Sequence, residues 1–138
     1  MSRYVFDTSA LLTFIENEEG AEAAESLLMK AVDGIDEIFI SIVSSIEIFY
    51  ISVREQGRAT GEQRLGLLES LPIIQEPLSP RLVKIIGEIK AGKAMSFADC
   101  CIAGLAKQKK AILVHKDPEF EQIEDEIEQI KLPYKKTK

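Results

Sequence analysis

Two patterns of hydrophobic and polar positions divide this chain into predicted strands and helices. Short apolar runs bounded by turn-forming residues are typical of buried strands, and apolar positions that repeat every three or four residues are typical of helices. Strands are predicted at 3–6, 37–41, 72–77 and 111–114, with a last short strand over 127–132. Helices are predicted at 8–15, 21–32, 45–56, 60–70, 80–92 and 96–109.

The alternation of strands with helical segments indicates the fold class. Strands separated by helices pair in parallel, so the pattern predicts an open α/β sheet that helices cover on both faces. The chain has 138 residues, enough for one domain with a hydrophobic core, and it contains neither a repeat nor a long linker. We expect a single domain over 1–138 with a frayed basic tail at 133–138.

Composition excludes several classes of protein. Hydrophobic residues make up 46% and charged residues 29% of the chain, which are globular values. No apolar run approaches the roughly 20 residues of a membrane span, and the N-terminus does not resemble a signal peptide, so we expect a cytoplasmic protein without a membrane partner. Cys100 and Cys101 are adjacent and are expected as buried small hydrophobes, and a structural zinc site is not expected with one histidine.

The formal net charge of −6 argues against indiscriminate binding to duplex nucleic acid, which depends on Lys and Arg neutralising phosphates. It does not exclude an enzyme that acts on nucleic acid, because clustered carboxylates make a site negative until a metal ion fills it. With 23 acidic residues in the chain, the positions of the acids carry more information than their number.

Four acids lie where predicted strands end or predicted helices begin. Asp7 ends the first strand, and Asp117 follows the strand at 111–114. Glu47 and Asp99 lie inside apolar runs, in the first turns of their predicted helices. A carboxylate in an apolar run is costly to desolvate unless a partner compensates its charge.

Singly, each acid has an ordinary structural explanation. Glu47 and Asp99 each stand three residues after a serine, as in a capping box. Asp7 could cap the first helix, and Asp117 precedes a proline in a turn-like sequence. Together the four acids favour a shared cation, because ligands of an open parallel sheet bind at the carboxyl ends of its strands. Hard oxygen ligands favour Mg²⁺ or Mn²⁺ over Zn²⁺.

Four pieces of the sequence resemble motifs of the PIN domain family, and the resemblance covers nearly the whole chain. They are VFDTSALL at 5–12, SSIE at 44–47, FADCCIA at 97–103 and LVHKDPEF at 113–120. In size, and in lacking appended domains, the chain is most similar to the VapC-type toxin ribonucleases of toxin–antitoxin pairs.

The resemblance implies both a fold and an activity. The fold is a three-layer α/β/α arrangement with a mostly parallel sheet of order 3-2-1-4-5. The activity is Mg²⁺- or Mn²⁺-dependent endoribonuclease cleavage of single-stranded or structured RNA. By position, Asp7, Glu47 and Asp99 match the invariant acids of the family, and Asp117 matches a fourth, more variable acid. A small antitoxin protein and a homodimer are the implied partners.

Around the fourth acid the sequence departs from the family. His115 stands where many relatives have Thr or Ser, and it is either a structural residue of the strand end or a ligand for metal or phosphate. Glu119 is either an exposed charge or a further ligand. Thr8 and Ser9 either cap the first helix or hydrogen-bond a phosphate or the neighbouring acid.

The leading hypothesis is a metal ion that lowers the pKa of a water molecule at neutral pH. Asp7 and Asp99 are expected to bind the metal directly, and Glu47 and Asp117 either bind it through water or orient the attacking water. RNA contacts are expected from local basic residues, namely Arg54, Arg58, Arg64, Lys107, Lys109 and Lys110.

Two other functions stay open at this point. A phosphoacceptor regulatory module also clusters acids around Mg²⁺, although that class has adjacent acids after its first strand and Asp7 stands alone. A PIN-like domain that only binds a partner is the second alternative, and the presence of all four acids disfavours it. Neither alternative predicts that metal switches on RNA hydrolysis.

Overall fold

The structure, a computed structural model, describes residues 1–135, which contain a five-stranded sheet of order β3-β2-β1-β4-β5. Its strands are β1 (Arg3–Phe6), β2 (Glu37–Ser41), β3 (Ile74–Glu76), β4 (Ile112–His115) and β5 (Gln129–Lys131). Every neighbouring pair is parallel. The open parallel sheet and its order 3-2-1-4-5 are therefore confirmed.

Six α-helices connect these strands. They are α1 (Thr8–Ile15), α2 (Ala21–Val32), α3 (Ile42–Gln56), α4 (Arg58–Ser70), α5 (Val83–Gly92) and α6 (Phe97–Lys109). Two 3₁₀ segments complete the described fold, at Pro80–Leu82 and at Pro118–Ile123. The second of them, called the 3₁₀ segment below, follows β4 directly.

Alternate residues of the central strands supply two separate hydrophobic cores. In β1, Val5 packs with residues of α5 and α6, whereas Tyr4 and Phe6 pack with residues of α1 and α2. Successive side chains of a strand point to opposite faces of the sheet, so a strand between two helical layers must be apolar on both. This arrangement produces the three-layer α/β/α fold.

Helix α3 begins three residues earlier than its sequence pattern predicted. Helix α3 starts at Ile42, and its cap is Ser41, whose hydroxyl accepts a hydrogen bond from the N–H of Val43 at 3.1 Å. The capping-box alternative at Ser44 is wrong, since Ser44 lies buried inside the helix. The β-branched pair that follows β2 has strand-like propensity, but the Ser41 cap turns the chain into helix at once.

Three further expectations concerned the two cysteines, membrane-spanning segments and the C-terminal tail. Cys100 and Cys101 are unpaired and buried, as expected. Within residues 1–135, no helix is both long and apolar enough to cross a bilayer. The frayed tail stays a prediction: residues 136–138 lie outside the described part, while the Tyr134 hydroxyl bonds Glu121 at 2.6 Å and Lys135 lies 3.2 Å from Glu18.

Candidate metal centre

The carboxyl ends of β1 and β4 meet the N-terminus of α6 at one edge of the sheet. Because Phe6 pairs with Val114, the residues that follow the two strands are neighbours, and the Asp7 N–H donates to the Val114 carbonyl at 3.1 Å. Asp99 is the third residue of α6. The edge that the acids were expected to share is therefore the place where their elements converge.

Three carboxylates form the tightest group in this region. One oxygen from each of Asp99, Asp117 and Glu119 lies within 4.8 Å of the other two. Oxygens that bind one Mg²⁺ or Mn²⁺ at about 2.0–2.3 Å lie at most about 4.5 Å apart, so this spacing closes onto a single cation with a small adjustment. The donor set is made of hard oxygens, which fits such a cation.

Asp7 lies beside this group and is nearly inaccessible, with 2% of its surface exposed. It caps α1, accepting the Ala10 N–H at 2.7 Å and a hydrogen bond from the Ser9 hydroxyl. Burial raises the pKa of Asp7 from 3.8 to about 7, and repulsion by Asp117 adds to the increase, although its hydrogen bonds oppose it. The ionised carboxylate is therefore costly here unless a cation compensates it.

Asp99 is perturbed in the same direction. Burial is the first cause that raises its pKa, from 3.8 to about 8. Repulsion by Asp117, Glu119 and Asp7 follows, and a hydrogen bond with Glu119 also favours the protonated form. The acids therefore act electrostatically as one group, and a divalent cation would relieve their mutual repulsion.

Glu47 is not one of the three clustered acids. It lies in the second turn of α3, so its predicted place in a first turn is wrong. The Thr8 hydroxyl donates to Glu47 Oε1 at 2.6 Å and shares a second hydrogen bond with the Ser44 hydroxyl at 3.1 Å. The first residue of α1 therefore fixes the orientation of an acid on α3.

Ser9 joins the ends of the two central strands. Its hydroxyl donates to the carboxylate of Asp7, at 2.8 Å from Oδ1 and 2.7 Å from Oδ2, and accepts the N–H of Lys116 at 2.9 Å. Among the alternatives for Thr8 and Ser9, the structure shows both side chains hydrogen-bonded to acids, while the cap of α1 is Asp7 itself.

His115 is fully buried, and both ring nitrogens have partners within the protein. Its Nδ1 accepts the N–H of Asp117 at 3.1 Å, and its Nε2 lies 2.8 Å from Oε1 of Gln129. Burial lowers the pKa of the imidazole below 6.5, which favours the neutral ring. Neither nitrogen is free to bind a metal or a phosphate, so the geometry supports the structural alternative.

The side chain of Glu119 is partly buried and hydrogen-bonded, not a freely exposed charge. Its carboxylate accepts a hydrogen bond from the N–H of Ser96, the residue that caps α6. The 3₁₀ segment is thereby joined to the N-terminus of the helix that carries Asp99. Neither this link nor the Gln129 contact was predicted, and no local pattern signals them, because each joins residues far apart in sequence.

Most of the basic residues expected to contact RNA are engaged with acids or an aromatic ring. Lys107 pairs with Glu126, Lys109 with Glu76, Arg58 with Glu62 and Arg64 with Glu16, at 2.7–3.6 Å. The guanidinium of Arg54 lies 5.1 Å from the ring centre of Tyr50. These pairings reduce the positive charge that the side chains present to a polyanion.

An apolar groove of about 490 Å³ lies between α3 and α4, next to β3. Its lining is mostly hydrophobic and includes Ile46, Phe49, Tyr50, Leu65, Leu68 and Ile73. Ile46 and Tyr50 are 58% and 38% exposed, whereas Leu27 and Leu28 are buried in the core. The side chains of Ile46 and Tyr50 on α3 therefore lie on an accessible apolar surface.

Sequence comparison assigns a family to the chain. The family model for the PIN domain matches residues 4–126. No curated protein matches the sequence significantly.

Structural comparison finds the same overall arrangement in several proteins of toxin–antitoxin systems. VapBC2 from Rickettsia felis, bound to a promoter DNA fragment, has a TM-score of 0.77 at 18% identity, over 95% of this chain and 99% of that one. VapBC-1 from nontypeable Haemophilus influenzae has 0.70 at 20% identity, over 94% and 97%. VapC20 from Mycobacterium tuberculosis, described as a sarcin–ricin-loop-cleaving toxin, has 0.68 at 14% identity, over 86% and 93%.

Proposed function

Because this chain belongs to the PIN domain family, we propose that it is a divalent-cation-dependent endoribonuclease whose site contains Asp7, Glu47, Asp99 and Asp117. The convergence of Asp99, Asp117 and Glu119 within 4.8 Å is the observation that carries the proposal. The raised pKa values of Asp7 and Asp99 support it, because a site that penalises its own ionised acids favours a cation.

Mg²⁺ or Mn²⁺ is the proposed cofactor. The donors are all carboxylate oxygens, and the nitrogens of the single histidine are engaged elsewhere, which disfavours a softer metal. Asp7 and Asp99 are the proposed direct ligands, and Asp117 is a third ligand that binds directly or through water. Glu119 is a further candidate, provided that its carboxylate exchanges the Ser96 N–H for the cation.

The protein groups have distinct tasks in this proposal. When bound, the cation supplies Lewis-acid stabilisation of the phosphodiester and lowers the pKa of a water molecule. Ser9 holds the Asp7 carboxylate in position, and Thr8 holds Oε1 of Glu47. Oε2 of Glu47, which lies 3.4 Å from the Tyr50 hydroxyl, is proposed to orient the attacking water. Asp117, which caps the 3₁₀ segment, binds the cation directly or through water.

Single-stranded or looped RNA is the proposed substrate. Bases in a regular RNA duplex lie in a deep, narrow major groove, whereas unpaired strands can enter a site at a sheet edge. The acidic net charge and the paired basic side chains favour a substrate held through few phosphate contacts.

A toxin role with an antitoxin partner is the proposed cellular context, in the cytoplasm where RNA is available. Two of the similar structures are VapBC complexes, which support this context at the level of the fold. The apolar groove between α3 and α4 is the proposed place for an apolar antitoxin segment.

The alternative of a phosphoacceptor regulatory module loses support. The sheet of that class has the strand order 2-1-3-4-5, whereas the order here is 3-2-1-4-5.

RNA cleavage by the purified chain tests the nuclease proposal. Activity is expected with Mg²⁺ and Mn²⁺ and is expected to disappear in chelator. Asp99→Asn should lower the cleavage rate by about 100-fold or more, because one charged ligand is lost. Asp125→Asn, at an exposed acid outside the site, is the matched control and should retain the wild-type rate. Chelator-resistant cleavage, or full activity in Asp99→Asn, would contradict the metal site.

The expected homodimer is tested separately. Sedimentation velocity of the purified chain at micromolar concentrations should show a dimer. A monomer throughout that range would contradict the dimer without affecting the nuclease proposal.

A further inference from the structure

A closed set of hydrogen bonds lies beneath the 3₁₀ segment. The N–H of Asp117 donates to Nδ1 of His115 at 3.1 Å, and His115 Nε2 lies 2.8 Å from Oε1 of Gln129. The Gln129 amide then donates to the carbonyl of Phe120 at 2.8 Å. The path therefore starts at Asp117, the cap of the 3₁₀ segment, and crosses from β4 to β5 through the side chains of His115 and Gln129. It returns to the 3₁₀ segment at Phe120.

The direction of every bond in this path follows from its first member. A backbone N–H can only donate, so Nδ1 of His115 must be the unprotonated acceptor. The neutral imidazole then carries its hydrogen on Nε2 and donates to Oε1 of Gln129. The amide nitrogen of Gln129 is left to donate to Phe120. One tautomer and one amide orientation satisfy all three contacts.

Packing prevents the imidazole from leaving this position. His115 is fully buried, its ring centre lies 5.0 Å from that of Phe120, and the ring of Tyr134 is 6.2 Å away on a stacked plane. The backbone is also fixed, because the His115 carbonyl accepts the N–H of Leu132 at 2.8 Å. The ring is therefore a rigid support against which the Asp117 backbone rests.

The geometry points to His115 and Gln129 as a positioning pair that orients Asp117, and with it the 3₁₀ segment that carries Glu119, for binding the cation. This role rests on the proposed function, in which Asp117 binds the metal. The hydroxyl of Thr or Ser at position 115 could not contact both Asp117 and Gln129, because it offers a single atom close to the backbone. The imidazole bridges the turn to β5 with two.

Mn²⁺ binding, measured by electron paramagnetic resonance of the free ion, tests this role without depending on cleavage. Removing groups that orient metal ligands typically weakens binding 10- to 100-fold. His115→Leu and Gln129→Met should each raise the Mn²⁺ dissociation constant about 10-fold or more. His115→Asn has nearly the shape of His115→Leu but offers Oδ1 close to the position of Nδ1, so it should recover most of the affinity.

A variant in the remote core distinguishes two causes of weaker Mn²⁺ binding, namely loss of the positioning contacts and general loss of stability. Leu28→Ala creates a cavity in α2, on the other face of the sheet, and should leave Mn²⁺ affinity unchanged. Equal loss of affinity in Leu28→Ala would overturn the positioning role. Unchanged affinity in His115→Leu and Gln129→Met would also overturn it, and if His115→Leu does not fold, Gln129→Met decides alone. Failure of the wild type to bind Mn²⁺ would instead contradict the proposed function.

Nitrogen NMR of the imidazole provides a direct check on the wild-type protein. The Nε2–H tautomer is expected in the wild type, and Gln129→Met should retain it with a shifted Nε2 resonance, because the Asp117 N–H still requires an unprotonated Nδ1 while the hydrogen bond from Nε2 to Oε1 is lost. Observation of the Nδ1–H tautomer in the wild type would overturn the role, because a protonated Nδ1 cannot accept from Asp117.

Discussion

Asp7 shows at the residue scale why a helix cap and a metal ligand are not exclusive explanations of one acid. A carboxylate has two oxygens and about four acceptor sites, and the Ala10 N–H and Ser9 hydroxyl use only part of them. Asp99 achieves the same result differently, because Ser96 caps α6 at 3.2 Å and leaves the Asp99 carboxylate for the site. The sequence pattern placed Asp7 after β1 and Asp99 in the first turn of α6, where both lie, although capping and metal binding were treated as alternatives.

The raised pKa values of Asp7 and Asp99 predict how stability depends on pH without metal. Each folded-state pKa, about 7 and about 8, exceeds 3.8, so the folded protein binds more protons than the unfolded chain between these values. The loss of folding stability caused by ionising the two buried acids is absent below pH 3.8, grows as pH rises towards 8, and is constant above pH 8. Asp7→Asn and Asp99→Asn should therefore gain stability over wild type at pH 8, by about 1 kcal/mol for the partly solvent-screened Asp99.

Urea unfolding in chelator at pH 5 and pH 8 measures this gain, with Asp125→Asn as the control that should match wild type at both. Asparagine retains the capping geometry at position 7, so loss of the α1 cap does not confuse the comparison. If both variants unfold well below wild type at pH 8, the two acids are net stabilising hydrogen-bonding groups and the repulsion argument is wrong.

At the scale of elements, α6 brings Asp99 to the site because it packs closely on α5. A Cβ on Gly104 would lie 2.6 Å from Cγ1 of the buried Ile86, so only glycine allows this approach. The apolar run around Asp99 predicted a buried helix here, and residues Cys100–Ala106 are all buried. The pattern did not reveal which neighbour requires Gly104, because that is a property of two elements.

Two alanine substitutions on this helix pair should have opposite effects. Gly104→Ala should destabilise the protein by about 1–3 kcal/mol through overpacking against Ile86. Gly87→Ala, on α5, meets nothing within 4 Å and should stabilise by up to about 1 kcal/mol through higher helix propensity. Chemical denaturation of both variants measures the difference, and equal stability in the two would show that α5 moves away from α6 at little cost.

The starts of α6 and α3 show when a local sequence pattern is enough to place the first residue of a helix. The cap of α6 was predicted at Ser96 and is there, because serine, the apolar run and the first-turn acid agree. The start of α3 was placed too late, because Ser41, Ser44 and Ser45 all offer capping groups in one stretch. Only the end of pairing between β2 and β3, at Ser41 and Glu76, decides among them.

For the whole molecule, the strand order brings together acids that are distant in sequence. Strands β1 and β4 are adjacent, although more than 100 residues separate Asp7 from Asp117. Repulsion among the gathered carboxylates is therefore a cost of the tertiary structure as a whole. A cation that binds only the folded state should offset that cost.

Addition of Mn²⁺ should raise the melting temperature, and more strongly at pH 8 than at pH 6. At free metal about 100-fold above the dissociation constant the stabilisation is about 2.7 kcal/mol, or on the order of 5–10 °C. At pH 6 protons on Asp7 and Asp99 compete with the metal, since their pKa values are about 7 and about 8. Differential scanning calorimetry measures the shift, which should largely vanish in Asp99→Asn. A shift that persists in Asp99→Asn, or is larger at pH 6, would contradict the site.

The sequence by itself determined the open parallel sheet, its two apolar faces and the acids at its carboxyl edge, because periodicity and capping are local properties of neighbouring residues. Tertiary structure alone decided that Glu119 joins Asp99 and Asp117, that Thr8 holds Glu47, and that His115 supports the turn through Gln129. These contacts depend on strand order and on side-chain reach across the sheet edge, neither of which is encoded in a local pattern.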